Sequence, residues 1–120
     1  MPFLRSKVNC PVSPRQEIRL KELRGEAVGL IPGKSEESLL LEFEDSCRLW
    51  LRGKNSEPAA YIAAAVFASE SHAGYPAFSS RVAQIYEEVL GIPPENLYIR
   101  YEDIPAFSTA GQYIDRRMFR

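Results

Sequence analysis

Two nine-residue segments of the chain resemble each other, and this repeat limits the possible folds more than any other feature of the sequence. The first, ESLLLEFED, begins at residue 37 and the second, ENLYIRYED, at residue 95, so they lie 58 residues apart. Four of the nine positions are identical. In both segments apolar residues alternate, which is the period of a strand with one buried face. The repeat therefore predicts equivalent strands in the two halves of the chain.

A helix with clear ends is predicted before the first copy. Ser13 is a good N-cap, Pro14 suits the first helical position and Gln16 can complete a capping box. Apolar residues then recur at steps of three and four until Pro32-Gly33 stops the helix. This stripe comprises Leu20, Leu23, Ala27, Leu30 and Ile31.

A second amphipathic helix is predicted before the second copy. Its apolar positions again follow helical spacing, and Gly91 with the following Pro93-Pro94 ends it. The stripe comprises Phe78, Val82, Ile85, Tyr86, Val89 and Leu90. Both helices thus end in glycine and proline and lead into matching strands.

Strand-like sequence also precedes each helix, at residues 3–8 and 61–67. The chain is therefore interpreted as one βαβ unit followed by another, within a single domain of residues 1–120. The pseudo-repeats cover roughly residues 2–50 and 59–110. Residues 111–120 are assigned to a C-terminal tail.

The repeat predicts an α+β (α/β) fold, a four-stranded sheet with two helices on one face, because each helical crossover joins two parallel strands. The other sheet face stays uncovered, and a homo-oligomer is the simplest way to cover it. A ferredoxin-like βαββαβ monomer is the alternative arrangement. Periodicity alone does not separate the two.

Composition excludes several classes of function. The formal net charge of −1 over 120 residues provides no basic surface for nucleic acid or an acidic membrane. No apolar run approaches the roughly 20 residues of a membrane span. Cys10 and Cys47 lie far apart in the sequence, so neither a zinc site nor a disulfide framework is predicted. Arg5 and Lys7 interrupt any apolar signal region, which predicts a cytoplasmic protein.

Four motifs in order resemble the family of macrophage migration inhibitory factor and D-dopachrome tautomerase, in the tautomerase superfamily. They are Met1-Pro2-Phe3, Gly33-Lys34, Ser56-Glu57-Pro58 and the long segment PENLYIRYED from Pro94 to Asp103. The resemblance spans nearly the whole chain. It implies a homotrimer whose sheets line a central barrel, with an active site between subunits and with neither cofactor nor metal.

The resemblance also implies that Pro2 is the catalytic base, once Met1 has been removed. A free α-amine titrates at about 7.7–8.0, and burial in an apolar pocket lowers its pKa toward neutrality, where a base is most useful. Proline supplies a rigid secondary amine whose lone pair has a fixed direction. A retained Met1 would convert this amine to an amide and remove the base.

Four further positions match substrate-binding residues of the family, and each has an ordinary structural alternative. Lys34 would contact a substrate carboxylate, or be a solvated lysine beyond a helix end. The backbone N–H of Phe67 would face the substrate while its ring packs in the core. Tyr98 would reach the site of a neighbouring subunit, or pack across strands. Arg100 stands where the macrophage factor has asparagine; it would bind a carboxylate of an acidic substrate, or remain a solvated strand residue.

The resemblance implies a tautomerase (an isomerase) acting on a small α-keto acid such as phenylpyruvate, with Phe3, Phe67 and Phe107 as an apolar wall for an aryl group. Two alternatives stay open: a trimeric binding or cytokine-like module without turnover, and a decarboxylase or hydratase of small keto acids. The family also implies possible export without a leader. The cytokine's CxxC pair is absent, since Ala59 and Ile62 occupy its places, so thiol redox activity is not expected.

Overall fold

The computed structural model describes residues 2–67 and 70–119. Met1, on whose removal the expected chemistry depends, lies outside the described residues. The helices and strands, in chain order, are β1 (Pro2–Val8), α1 (Pro14–Ala27), β2 (Leu40–Glu44), β3 (Ala60–Phe67), α2 (Tyr75–Leu90), β4 (Leu97–Ile104), β5 (Ala106–Thr109) and β6 (Gln112–Asp115).

The main sheet has the strand order β2-β1-β3-β4. β1 is parallel to β2, and β3 is parallel to β4, as expected for a strand–helix–strand crossover. β1 and β3 join the two halves in antiparallel pairing at the centre. The predicted pair of βαβ units is therefore confirmed. The ferredoxin-like alternative is wrong, because its sheet would be antiparallel throughout.

α1 begins as predicted but ends earlier. Ser13 Oγ accepts a hydrogen bond from the Gln16 N–H at 3.1 Å, and Gln16 Oε1 accepts one from the Ser13 N–H at 2.9 Å. The helix ends at Ala27, and a 3₁₀ turn follows at Val28–Leu30. Because this turn breaks the helical period, Leu30 is 44% exposed and leaves the predicted apolar stripe.

The repeated segments each contain a turn followed by a strand. One-turn 3₁₀ helices occupy Glu36–Ser38 and Pro94–Asn96, and β2 and β4 follow them. The apolar piece at residues 49–51 between the halves forms no strand, although Leu51 makes an isolated bridge with Lys54. The repeat therefore encodes a turn–strand unit rather than a strand alone.

Regular structure extends from the end of the second pseudo-repeat, where β5 lies, into the segment 111–120 assigned to a C-terminal tail. β5 and β6 form an antiparallel hairpin separate from the main sheet. A 3₁₀ turn at Arg116–Phe119 follows. The last part of the chain thus folds back toward one end of the sheet.

The two faces of the sheet differ in character. Even-numbered residues of β1 and β3 face the helices and are buried, among them Leu4, Ile62 and Val66. The opposite, open face carries many charged and tyrosine side chains. They include Arg5, Lys7, Glu42, Glu44, Tyr61, Tyr98 and Arg100, with ion pairs from Arg5 to Glu42 at 2.9 Å and from Lys7 to Glu44 at 3.7 Å.

Gly74 is required where α2 begins. Its φ of +82° is a left-handed conformation, and a Cβ there would collide with the carbonyl oxygen of Leu30. We expect Gly74→Ala to lower the free energy of unfolding by about 2–3 kcal/mol, because strain and collision add. Urea unfolding at fixed protein concentration measures this. Gly29→Ala is the control, since no atom lies within 4 Å of its Cβ position, and a loss as large as that at Gly74 would contradict the interpretation.

Candidate active site

Pro2 lies at one end of the central strands. It is buried and pairs with Val66 of β3, which in turn pairs with Asp103 of β4. The first residue of β1 therefore meets the carboxyl ends of β3 and β4. This end of the sheet brings the start of the chain beside Phe67, the neighbour of Val66.

Lys34 reaches the same end of the sheet from the loop after α1. Gly33 has a φ of +77°, and the Lys34 N–H donates to the Ile31 carbonyl at 3.1 Å, which turns the chain sharply. Lys34 Nζ then donates to the carbonyl oxygen of Phe67 at 2.8 Å. The structure thus brings three predicted residues together: Lys34 and Phe67 in direct contact, and Pro2 beside them through the strand pairing.

An aromatic cluster adjoins these residues. The rings of Phe67 and Phe107 meet edge to face with centroids 4.8 Å apart, and Phe119 approaches Phe67 at 6.0 Å. Phe107 also lines an open cleft of about 580 Å³ with residues 37–40. Phe119 was not predicted, because a phenylalanine near the end of the chain gives no sequence signal. Within residues 2–67 and 70–119, Phe3 makes no ring contact of this kind, and it lines a different cleft.

The cleft of Phe3 lies on the open face, where Arg5 and Arg100 flank the small side chain of Ala63. β1 alternates its side chains between the two faces, so Phe3 and Pro2 point in opposite directions. Among the described residues, the ring contacts join Phe119, and not Phe3, to Phe67 and Phe107; an apolar wall for an aryl group stays a prediction.

Asp115 holds the 3₁₀ turn that carries Phe119. Its carboxylate accepts hydrogen bonds from the Arg117 backbone N–H at 2.9 Å, from Arg117 Nε at 3.1 Å and Nη2 at 2.9 Å, and from the Tyr113 hydroxyl at 2.8 Å. The Arg117 bonds, followed by that of Tyr113, hold the pKa of Asp115 well below its usual range. Only the ionised carboxylate of Asp115 can accept all of these hydrogen bonds. The bonds therefore stabilise the turn at neutral pH, where the carboxylate is ionised.

We expect Asp115→Ala to loosen this turn and speed hydrogen exchange of the Arg117 amide, which loses its acceptor. The wild-type turn should loosen in the same way only at pH well below the ordinary carboxyl pKa of 3.8, because the lowered pKa delays protonation. Glu44→Ala is the control, since Glu44 pairs with Lys7 on the main sheet. Unchanged exchange in Asp115→Ala would contradict this role of the carboxylate.

Tyr98 and Arg100 lie away from this group within one chain. Tyr98 pairs with Tyr61, five positions from the Val66 partner of Pro2, a separation of about 17 Å along the strand. Tyr98 is 53% exposed, and Arg100 forms an ion pair with Glu102 at 3.7 Å. A single subunit therefore does not join either side chain to Pro2.

His72 is tied to the sheet at the Pro2 end. Its Nε2 lies 2.9 Å from one carboxylate oxygen of Asp103 and 3.1 Å from the other, and its ring stacks on Tyr75 with centroids 4.9 Å apart. Glu70, near the start of the same loop, pairs with Arg116 at 3.3 Å. A hydrogen bond from His72 to Asp103 and an ion pair from Glu70 to Arg116 thus connect this loop to β4 and to the C-terminal turn.

Residues 2–67 and 70–119 include no group of three or more histidine, cysteine or acidic side chains placed to hold a metal ion. Within the same ranges, neither helix has the length and apolar character needed to cross a membrane.

No protein-family model matches the sequence, and no curated protein matches it. Solved structures do resemble the fold. MIF2 of Leishmania major has a TM-score of 0.85 and 23% identity over 95% of this chain and 97% of its own. Pt0534, solved after inactivation by 2-oxo-3-pentynoate, has a TM-score of 0.82 and 16% identity over 98% of each chain. The fused 4-OT wild-type asymmetric trimer F6 has a TM-score of 0.78 and 20% identity, also over 98% of each.

These identities lie below the level at which activity can be transferred, but the scores and coverage extend over nearly the whole of each chain. They agree with the two βαβ units, the strand order and the helices on one face described above. The chain has the fold of these macrophage migration inhibitory factor homologues and of the 4-OT structure.

Proposed function

We propose that the protein is a tautomerase of the macrophage migration inhibitory factor family, acting on a small α-keto acid such as phenylpyruvate with Pro2 as general base. The observation that carries the proposal is the 2.8 Å bond between Lys34 Nζ and the Phe67 carbonyl, beside the Pro2–Val66 pair. A buried proline at the start of β1, a lysine and an aromatic cluster provide a base, a cation and an apolar wall.

The reaction needs one base and no redox partner. The neutral Pro2 nitrogen removes a proton from the carbon next to the keto group. The C–H electrons form a carbon–carbon double bond, and the carbonyl π electrons move to oxygen. The protonated amine then returns the proton to that oxygen, which gives the enol, and the reverse sequence regenerates the ketone.

Lys34 would fix the substrate carboxylate. Its ammonium group has three N–H donors. One donates to the Phe67 carbonyl, so two remain for a carboxylate beside Pro2. An aryl group would lie against Phe67, Phe107 and Phe119; the ring of Phe67 contacts each of the other two. With both the carboxylate and the aryl group held, the methylene carbon between the aryl and keto groups of the substrate would face the Pro2 nitrogen.

A homotrimer would complete the site, with Tyr98 and Arg100 coming from a neighbouring subunit. Both are exposed on the open face and lie far from Pro2 of their own chain, and the similar 4-OT structure is described as a trimer. Tyr98 would donate a hydrogen bond to the oxygen as enolate charge develops, and Arg100 would grip a carboxylate. We place this enzyme in the cytoplasm as part of the proposal.

Mixing two inactive variants tests this assembly. We expect Pro2→Gly and Tyr98→Phe/Arg100→Ala each to lose most activity as pure trimers. After unfolding and refolding together in equal amounts, about a quarter of the sites would combine an intact Pro2 with an intact neighbour and recover turnover. Mixing without refolding is the control. Mixed trimers that show no recovery would contradict a site shared between subunits.

Arg100 favours one alternative function. An exposed arginine in a site with Lys34 would suit a keto acid with a second carboxylate, and hence a decarboxylase or hydratase of small keto acids. Carbon dioxide release or hydration in place of proton exchange would identify that chemistry. A trimeric binding or cytokine-like module is the third possibility, and it requires no turnover of any keto acid.

A further inference from the structure

Arg24 is a charged residue in the middle of the hydrophobic core. It lies on α1 and is 0% exposed. Its Nη1 donates to the Tyr86 hydroxyl of α2 at 2.7 Å, and that oxygen lies 2.6 Å from Ser6 Oγ of β1. The guanidinium carbon stands 5.2 Å from the centre of the Phe43 ring. This buried cation of α1 thus contacts α2 through Tyr86 and β2 through Phe43, and it is linked to β1 through the Tyr86 hydroxyl.

The charge of Arg24 has no counterion within the described residues. None of their ion pairs includes Arg24, and its Nε and Nη2 atoms are buried without a hydrogen-bond partner. Burial lowers the pKa of Arg24, but the guanidinium of arginine remains protonated in proteins. The core therefore contains a buried positive charge that is not paired with any carboxylate of the described residues.

This charge lies in the same layer of the fold as Pro2. Ser6, two hydrogen bonds from the guanidinium, is four residues from Pro2 on the same face of β1, about 13 Å along the strand. Leu4 lies between them and is 1% exposed. Because core side chains rather than water fill this region, the field of Arg24 is screened less than that of a surface charge.

We propose that Arg24 is a positioning residue that keeps the Pro2 amine in its neutral, basic form by repelling the proton. This inference rests on the proposed function, because Arg24 would act on the Pro2 amine that the proposed function uses as its general base. Ser6, and not the guanidinium itself, lies about 13 Å from Pro2 along β1, so the charge acts over a distance on the order of 10–20 Å. At that range and an effective dielectric constant near 20, a unit charge lowers the pKa of an amine by roughly half to one unit.

The other charges around the two groups are better screened. Lys34 acts in the same direction from the loop side, whereas Asp103, paired with His72, and Glu70, paired with Arg116, lie toward solvent. Around Arg24, exposed carboxylates line a cavity of about 70 Å³ beside Ser6 and Phe43; these are Glu17, Glu44 and Asp45. Within this set, Arg24 is the fully buried charge.

The test is titration of the Pro2 amine in protein shown by intact mass to lack Met1, followed by NMR of ¹⁵N-labelled proline. Arg24→Met and Arg24→Gln should each raise the amine pKa by about half to one unit. The acid limb of the pH profile of kcat/KM should move by the same amount. Two neutral replacements of different polarity are used because loss of charge is what they share.

Two controls separate charge from structure. Tyr86→Phe removes the hydrogen bonds of the network but keeps the cation, and Arg19→Gln removes an exposed cation from the same helix. Neither should move the amine pKa. If an Arg24 variant fails to fold, Arg24→Met/Tyr86→Phe replaces the network with apolar groups and gives the same test.

An unchanged amine pKa in a folded variant without the Arg24 charge would overturn the inference. So would an equal shift in Tyr86→Phe, which would make the effect structural. Absence of turnover would instead refute the proposed function, and the NMR titration would still report whether Arg24 acts on the amine.

Discussion

Pro2→Gly should reduce keto–enol exchange of phenylpyruvate by roughly 10²–10⁴-fold, the contribution typical of a positioned general base. Glycine keeps an N-terminal amine but loses the ring that directs the nitrogen lone pair. Because Pro2 pairs with Val66 at the end of the sheet, the replacement leaves the strand interior and the helix contacts intact. The measurement is the initial rate of enol formation at neutral pH, with Met1 shown to be absent from both proteins.

The assembly of the variant needs a separate check. Light scattering should give the same mass for Pro2→Gly as for the wild type, so that a lost rate reports on the base and not on the trimer. Full turnover by the variant would show that Pro2 is not the base. The binding module would then be the better interpretation of this fold.

Lys34→Ala should lower kcat/KM for phenylpyruvate by about 10- to 100-fold, the cost of one hydrogen bond between charged groups. The variant also loses the bond to the Phe67 carbonyl, so its stability must be measured as well. The methyl ester of phenylpyruvate separates the two effects. It lacks the carboxylate, and its rate should change little on the same substitution.

Lys21→Ala is the matched control for this experiment. Lys21 is exposed on α1, where its Nζ lies 3.4 Å from Glu36, and its replacement should leave both rates unchanged. Equal losses on acid and ester in Lys34→Ala would show that the lysine supports the local structure alone. That result would remove the carboxylate anchor from the mechanism.

Local patterns predicted the framework of the fold well. The capping box of Ser13 and Gln16, the glycine at the end of α2 and the period of the repeated strands all act over a few residues, and all are present. The apolar stripe gave no start for α2. The helix begins at Tyr75, three residues before the first stripe residue Phe78, and the left-handed Gly74 is its N-cap without a capping side chain.

Long-range packing accounts for most of what the sequence did not reveal. A charged residue at a helical position is normally assigned to solvent, yet Arg24 is buried. Its hydrogen-bond acceptor, the Tyr86 hydroxyl, is distant in sequence and is itself hydrogen-bonded to Ser6. Phe119 contacts the aromatic cluster from the turn at Arg116–Phe119, which Asp115 holds by a hydrogen bond. No periodic pattern in the sequence predicts that turn.

The candidate site was predictable only in part, for a related reason. Pro2, Lys34 and Phe67 meet within one chain, and strand pairing with a short loop is enough to bring them together. Tyr98 and Arg100 were assigned to the same site by resemblance, and the register of β4 keeps them at a distance within one chain. Whether a neighbouring subunit supplies them remains the prediction that the mixed trimers test.

The most direct test of the central claim is deuterium exchange into phenylpyruvate, followed by proton NMR in D₂O. The protein must first be shown by intact mass to lack Met1. We expect it to exchange the methylene protons next to the keto group well above the buffer rate, and Pro2→Gly to reduce that exchange to near the buffer rate. Exchange no faster than buffer, for phenylpyruvate and for a panel of other α-keto acids, would contradict a tautomerase that uses Pro2 as its base.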